Sequence, residues 1–115
     1  MDEALTFDSS HSIAQVDALD VIGKRIDGGA DLVIIAGSWV DGDLRSQRRL
    51  LAKLENYLGF IMSEEFSREF GPFEGTGVAV RVQFSNGAHD NIIQLLEQCL
   101  PQVEAMGIKL VWQRP

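Results

Sequence analysis

The residues able to do chemistry in this chain are few. Asp41 and Asp43 flank Gly42 on one acidic turn, His11 and His89 are the two histidines, and Cys99 is the single cysteine. Paired carboxylates on a turn can hold a hard cation or, in a water-poor cleft, serve as acid and base. A calcium loop needs several further oxygens at defined positions, whereas the residues after Asp43 become amphipathic. The spacing therefore predicts helix capping by Asp41 or Asp43, and no metal is expected. A nucleophile needs a base held against it and a third group to orient that base. His11 falls in the N-terminal stretch, His89 at a helix start, and Cys99 within the apolar stripe of that helix. Cys99 reads as a small buried hydrophobe, and no catalytic residue is assigned. Gly71, Gly75 and Gly77 precede a strand instead of joining a strand to a helix, so they form no phosphate-binding turn. No cofactor is implied.

Two groupings suit binding better than reaction. Arg45, Arg48, Arg49 and Lys53 recur at helical spacing and predict a basic outer stripe, either a solvated face or a docking surface for an acidic partner or second subunit. Phe66, Phe70 and Phe73 lie among acids, either as an exposed recognition loop or as a lid over the core. Trp39, at the corner before the acidic turn, completes the candidate partner-binding set.

The elements that must position these residues follow from periodicity. Asp17 to Ile26 suits a first strand with a bulge near Gly23, a short helix being the competing reading. Asp27 to Ala30 marks a turn, so the first two strands are expected to form a hairpin. Leu32 to Ala36 is a continuous apolar run, as in a strand covered on both faces. Leu44, Leu51, Leu54, Leu58 and Ile61 predict the inward stripe of a long helix, widened by Leu50 and Tyr57. A short helix is expected over residues 63–71. Val78, Val80, Val82 and Phe84 alternate with more polar residues as a strand. A second long helix starts near Ala88 to Asp90, with Pro101 expected to kink or divide it and Gly107 to end it. Ile108 to Gln113 is the last strand.

The predicted class is α+β: a two-layer α/β sandwich in ββαβαβ order, with a mixed sheet of about four strands and two main helices on one face. Residues 1–12 read as a flexible N-terminal arm and residues 13–115 as one domain. Leu32, Ile34, Ala79 and Val111 are expected on the sheet face opposite Val33, Ile35, Val80 and Leu110. An apolar face left bare would invite a dimer.

At 115 residues and 45% hydrophobic content, the chain is long enough for a core without disulfides. The net charge of −7 argues against nucleic-acid binding, which needs a dominant basic surface. The charge is uneven: residues 1–43 hold nine acids and two bases, while residues 44–61 hold four bases and one acid. No apolar run reaches the roughly 18 residues needed to cross a bilayer, and the acidic N-terminus lacks signal-peptide order, so a cytoplasmic address is expected.

Val16-Asp17-Ala18-Leu19-Asp20, Leu32 to Ile35, Trp39 before its acidic turn, and Asn56-Tyr57-Leu58-Gly59-Phe60-Ile61 together resemble a family of small bacterial α/β domains without an assigned function. The resemblance covers roughly residues 16–61. Gly37-Ser38 departs from the more polar lead expected before the Trp. The resemblance implies the fold and a bacterial origin, and it assigns no reaction. The expectation is a non-catalytic protein–protein interaction or assembly module, most simply a homodimer. The alternatives are an acidic immunity- or antitoxin-type inhibitor of a basic partner, and an enzyme using Asp41 or Asp43.

Overall fold

A computed structural model describes residues 5–25, 29–70 and 77–113. Along the chain run β1 (Val21–Lys24), β2 (Ala30–Ala36), α1 (Leu44–Ile61), α2 (Glu64–Phe70), β3 (Val78–Phe84), α3 (Asp90–Ala105) and β4 (Lys109–Gln113). With the short α2 taken as an appendage of α1, this is the expected ββαβαβ order. The four strands form one mixed sheet in the order β1-β2-β3-β4. β1 pairs antiparallel with β2, while β2–β3 and β3–β4 are parallel. Both parallel crossovers step the same way across the sheet, so a common handedness brings their helices to one face.

The Asp43 cap and the Gly107 exit behave as the sequence predicts, and the structure adds a Ser63 cap to the short helix. Asp43 caps α1, its Oδ1 accepting from the Ser46 N–H at 2.9 Å. Ser63 caps α2 in the same way, accepting from the Phe66 N–H. At the end of α3, Gly107 has φ of 80°, its N–H donates to the Glu104 carbonyl, and the Ile108 N–H reaches back to Val103. That pair of bonds is a Schellman closure, and the positive φ is why glycine stands there.

Register corrects the expected faces of the sheet. Leu32 pairs with Val80 and Val80 with Leu110, while Val33 pairs with Arg81 and Arg81 with Val111. Paired residues share a face. Leu32 and Ile34 therefore lie with Val80, Val82 and Leu110 under the helices, all buried. Val33 and Ile35 lie with Ala79 and Val111 on the other side. β2 is not covered on both faces: Ile35 is 38% exposed, and burial alternates along the strand. The first strand is also shorter than expected, because the chain turns at residues 16–18 and pairs with β2 only from Val21. Pro101 does not divide its helix, which runs unbroken from Asp90 to Ala105. It sits on the exposed side, where water can meet the Glu97 carbonyl freed by its missing N–H.

The largest correction concerns α1. Its buried residues are Ser46, Arg49, Leu50, Lys53, Leu54, Tyr57 and Ile61, an inward stripe rotated from the leucine series, and Leu44 is 76% exposed. Arg49 and Lys53 belong to the inside, not to an outer stripe.

Candidate functional site

The inward polar edge of α1 grips residues 6–20. Arg49 donates through Nε and Nη2 to the Ile13 carbonyl (2.8 and 2.6 Å), through Nη2 to Ala14 (2.9 Å) and through Nη1 to Thr6 (2.7 Å). Lys53 Nζ donates to the Gln15 carbonyl and to Asp20 Oδ1, both at 2.8 Å. Asn56 Nδ2 donates to the Val16 carbonyl at 2.9 Å. The Tyr57 hydroxyl accepts from the Asp20 N–H and donates to the Val33 carbonyl. Burial pushes the Tyr57 phenol up to about 12, so it remains a donor at any ordinary pH. The other Asp20 oxygen accepts from the Ile35 N–H at 2.8 Å, where β1 is too short to supply a partner. These side chains satisfy backbone groups that would otherwise be stranded beside the core. In that core Ile13 is fully buried and Val16 nearly so.

One contact in this clamp has the outline of a catalytic dyad. His11 Nε2 lies 3.0 Å from Ser46 Oγ. The tautomer excludes base catalysis: His11 Nδ1 accepts from the Ile13 N–H at 2.9 Å, so the ring proton sits on Nε2 and donates to the hydroxyl. The pair is a latch. Burial, then the charges of Arg49 and Arg45, hold His11 below its usual 6.5. The unfolded chain therefore takes up the proton first, and the latch contributes fully above about pH 6.5. Its contribution is lost as pH falls from there toward the folded-state value. Amide exchange at Ile13 should accelerate over that range, and His11→Asn should flatten the response. The Asp8 and Asp43 carboxyls stay charged throughout. Asp8 is held low by the Ser10 hydroxyl and Arg45, and Asp43 by its bonds from Ser46.

The other candidates from the sequence fall in separate places. Arg45 is exposed and pairs with Asp8 at 2.6 Å, and Arg48 is also exposed. Trp39 is 51% exposed, its Nε1–H donating to Asp41 Oδ1 at 3.2 Å. The Gly42 carbonyl accepts from Gln47 and Asn91, and a Cβ on Gly42 would come within 2.4 Å of the His89 ring. The acidic turn is thus spent on joining α1 to α3, His89 capping the latter through Nδ1. Phe66 is buried, edge-on to Phe60 and stacked on Phe70 at 4.9 Å. Lys24 Nζ lies 5.8 Å from the Phe70 ring centre, so Phe66 and Phe70 close the core beside β1. Phe73 lies outside the described residues. Burial, with Glu55 nearby, pushes the Cys99 thiol up, away from thiolate chemistry.

Among the described residues no helix covers the far face of the sheet, which the site residues read from the sequence did not include. Register lays its side chains out in rows. Gly23, Asp31, Ala79 and Lys109 form one row; Val21, Val33, Arg81 and Val111 form the next; Ile35 and Gln83 continue a third. Val21 is 45% exposed, and Val33 and Val111 are half-buried. At one end a groove of about 450 Å³ is lined by Arg25, Asp31, Ala79, Arg81, Lys109 and Val111, among others. Arg25 reaches across it, donating to Asp31 Oδ1 and to the Gly77 carbonyl. Arg81 Nη2 stands 4.0 Å from Asp31 Oδ2, beyond hydrogen-bond reach. Lys109 makes no ion pair with the described residues. The signal for this site was the alternation of residues 79–83 and 109–111, unreadable as a surface until the strands were in register.

Among the described residues no helix is long and apolar enough to cross a membrane. No curated protein and no solved structure matches the chain. A family model does match, over residues 11–115, which takes in all four strands, all three helices and the clamp's Ile13-to-Asp20 segment. The chain therefore belongs to that family, described as a family of unknown function (DUF6572).

Proposed function

We propose that this protein is a non-catalytic binding module whose uncovered sheet face docks another protein. The observation that carries the reading is the aliphatic set Val21, Val33, Ile35 and Val111, left partly bare on a sheet whose other face is sealed by helices. A sheet face of this kind offers a rigid, pre-formed surface at little entropic cost. The acidic turn and the His11–Ser46 pair are each engaged in structural bonds, and burial holds the Cys99 thiol away from the thiolate, which favours binding over catalysis. A second copy suits this face less well, because it would bring the same net positive charge to both sides of the contact.

The test is site-specific photo-crosslinking in the source cells. A benzoylphenylalanine at Gln83, on the open face, is expected to yield a discrete cross-linked protein. The same probe at Glu104, on α3, should not. Ile35→Lys should abolish the Gln83 product while leaving the fold intact. Equal products at both positions, or none at Gln83, would refute the reading.

A further inference from the structure

The charges on the open face are opposite in sign to the chain as a whole. Among the described residues of the groove, the single carboxylate of Asp31 is bonded to Arg25 and lies 4.0 Å from Arg81, so with Lys109 three cations face one acid and the groove keeps a net positive charge. We infer that the occupant of this face is an acidic, extended polypeptide segment, its carboxylates seated on Arg81 and Lys109 and an aliphatic side chain resting on Val33 and Val111. The inference rests on the protein-docking reading and names the chemistry of the partner.

Three observations support it. Arg81 lies opposite Val111, and Lys109 opposite Ala79, so the two cations are diagonal neighbours, roughly 8 Å apart at their backbones from the strand spacing and a two-residue rise. Alternate side chains on an extended strand project to one side at about 6.6–7 Å. A segment with acids at positions i and i+2 therefore presents one carboxylate to each cation. Next, Arg81 is flanked within its own row by Val33 and Val111. Those aliphatic flanks give a bound segment apolar area to cover beside the charge-assisted bond from Arg81 to its carboxylate. Lastly, the net charge of −7 repels a polyanion at long range, and two cations are too few for a nucleic-acid backbone. A short acidic segment embedded in a less charged protein meets neither obstacle.

The experiment titrates the full chain with three probes while following backbone amide shifts: a blocked ESESVS peptide, its QSQSVS counterpart, and inorganic phosphate. The acidic peptide is expected to shift amides of residues 79–83 and 109–111 and to weaken with added salt. Arg81→Glu and Lys109→Glu should each weaken it roughly tenfold or more. Arg81→Gln serves as the milder variant should charge reversal disturb the sheet. Equal binding of the neutral peptide, no shift with the acidic one, or phosphate acting as strongly as the peptide would each overturn the inference. The crosslinking arm separates this failure from the broader one. A Gln83 product lost with Ile35→Lys but retained with Arg81→Glu and Lys109→Glu sinks the acidic partner and leaves the docking face standing. A product indifferent to all three sinks both.

Discussion

Replacing Arg49 with methionine is expected to destabilise the protein by about 2–4 kcal/mol, more than any change on the outer surface of α1. Methionine keeps much of the aliphatic stem and removes every donor. The Ile13 carbonyl, which accepts from both Nε and Nη2 of the guanidinium, is left beside the core, while the Ala14 carbonyl keeps the Asp8 N–H and Thr6 is exposed. An unpaired buried polar group costs on the order of 1–3 kcal/mol, and a domain has only some 5–15 kcal/mol of stability in all. The change should lower the urea midpoint and open residues 5–16 to proteolysis well before the sheet unfolds. Arg49→Lys should recover only part of the loss, since an ammonium cannot reproduce a fork that serves three carbonyls at once. A loss under about 1 kcal/mol, the range of exposed charged residues, would show that the guanidinium does not hold this segment.

The second large effect is expected at Lys53. Its ammonium is 2% exposed and joins the Gln15 carbonyl to Asp20, whose side chain is 24% exposed. Lys53→Met leaves a partly solvated carboxylate and a bare carbonyl, for a cost of about 2–4 kcal/mol, below the full penalty of a dry ion pair. Asp20→Asn should cost less alone, because an amide oxygen can still accept from the Ile35 N–H. The double variant decides how much of this belongs to the pair. A coupling of about 1–3 kcal/mol is expected from denaturant unfolding of the cycle, and additivity within ~0.5 kcal/mol would show the two act separately. Loss of Lys53 should also accelerate exchange at the Ile35 amide, because Asp20 then lacks the charge that holds it in place.

Most of the fold was legible because its long elements obey one period each. The α1 boundaries, the Asp43 cap, the alternation over Val78 to Phe84, and the Gly107 exit all follow from local stereochemistry. The failures share another cause. Arg49 and Lys53 look like solvent residues because their charge usually decides their side of a helix. Here carbonyls more than 30 residues away in sequence decide it. Leu44 made the converse error, an apolar residue drawn into a stripe that in fact begins at Ser46. The parity of the sheet faces was misjudged because a one-residue shift in register exchanges the two sides. Pairing is a property of two strands, invisible in either alone. The candidate site suffered most, since its row of Val21, Val33, Arg81 and Val111 draws on all four strands.

The clamp on α1 also distributes information unequally between its two halves. Thr6, Ile13, Ala14, Gln15 and Val16 offer it only carbonyl oxygens, a group every amino acid possesses. Their side chains are invisible to Arg49, Lys53 and Asn56. At those five positions the segment is therefore free to diverge wherever burial permits, whereas Asp8, His11 and Asp20, which meet α1 through their side chains, are not. The instructions for seating the N-terminal segment are written some 36–40 residues downstream of it, in three polar side chains.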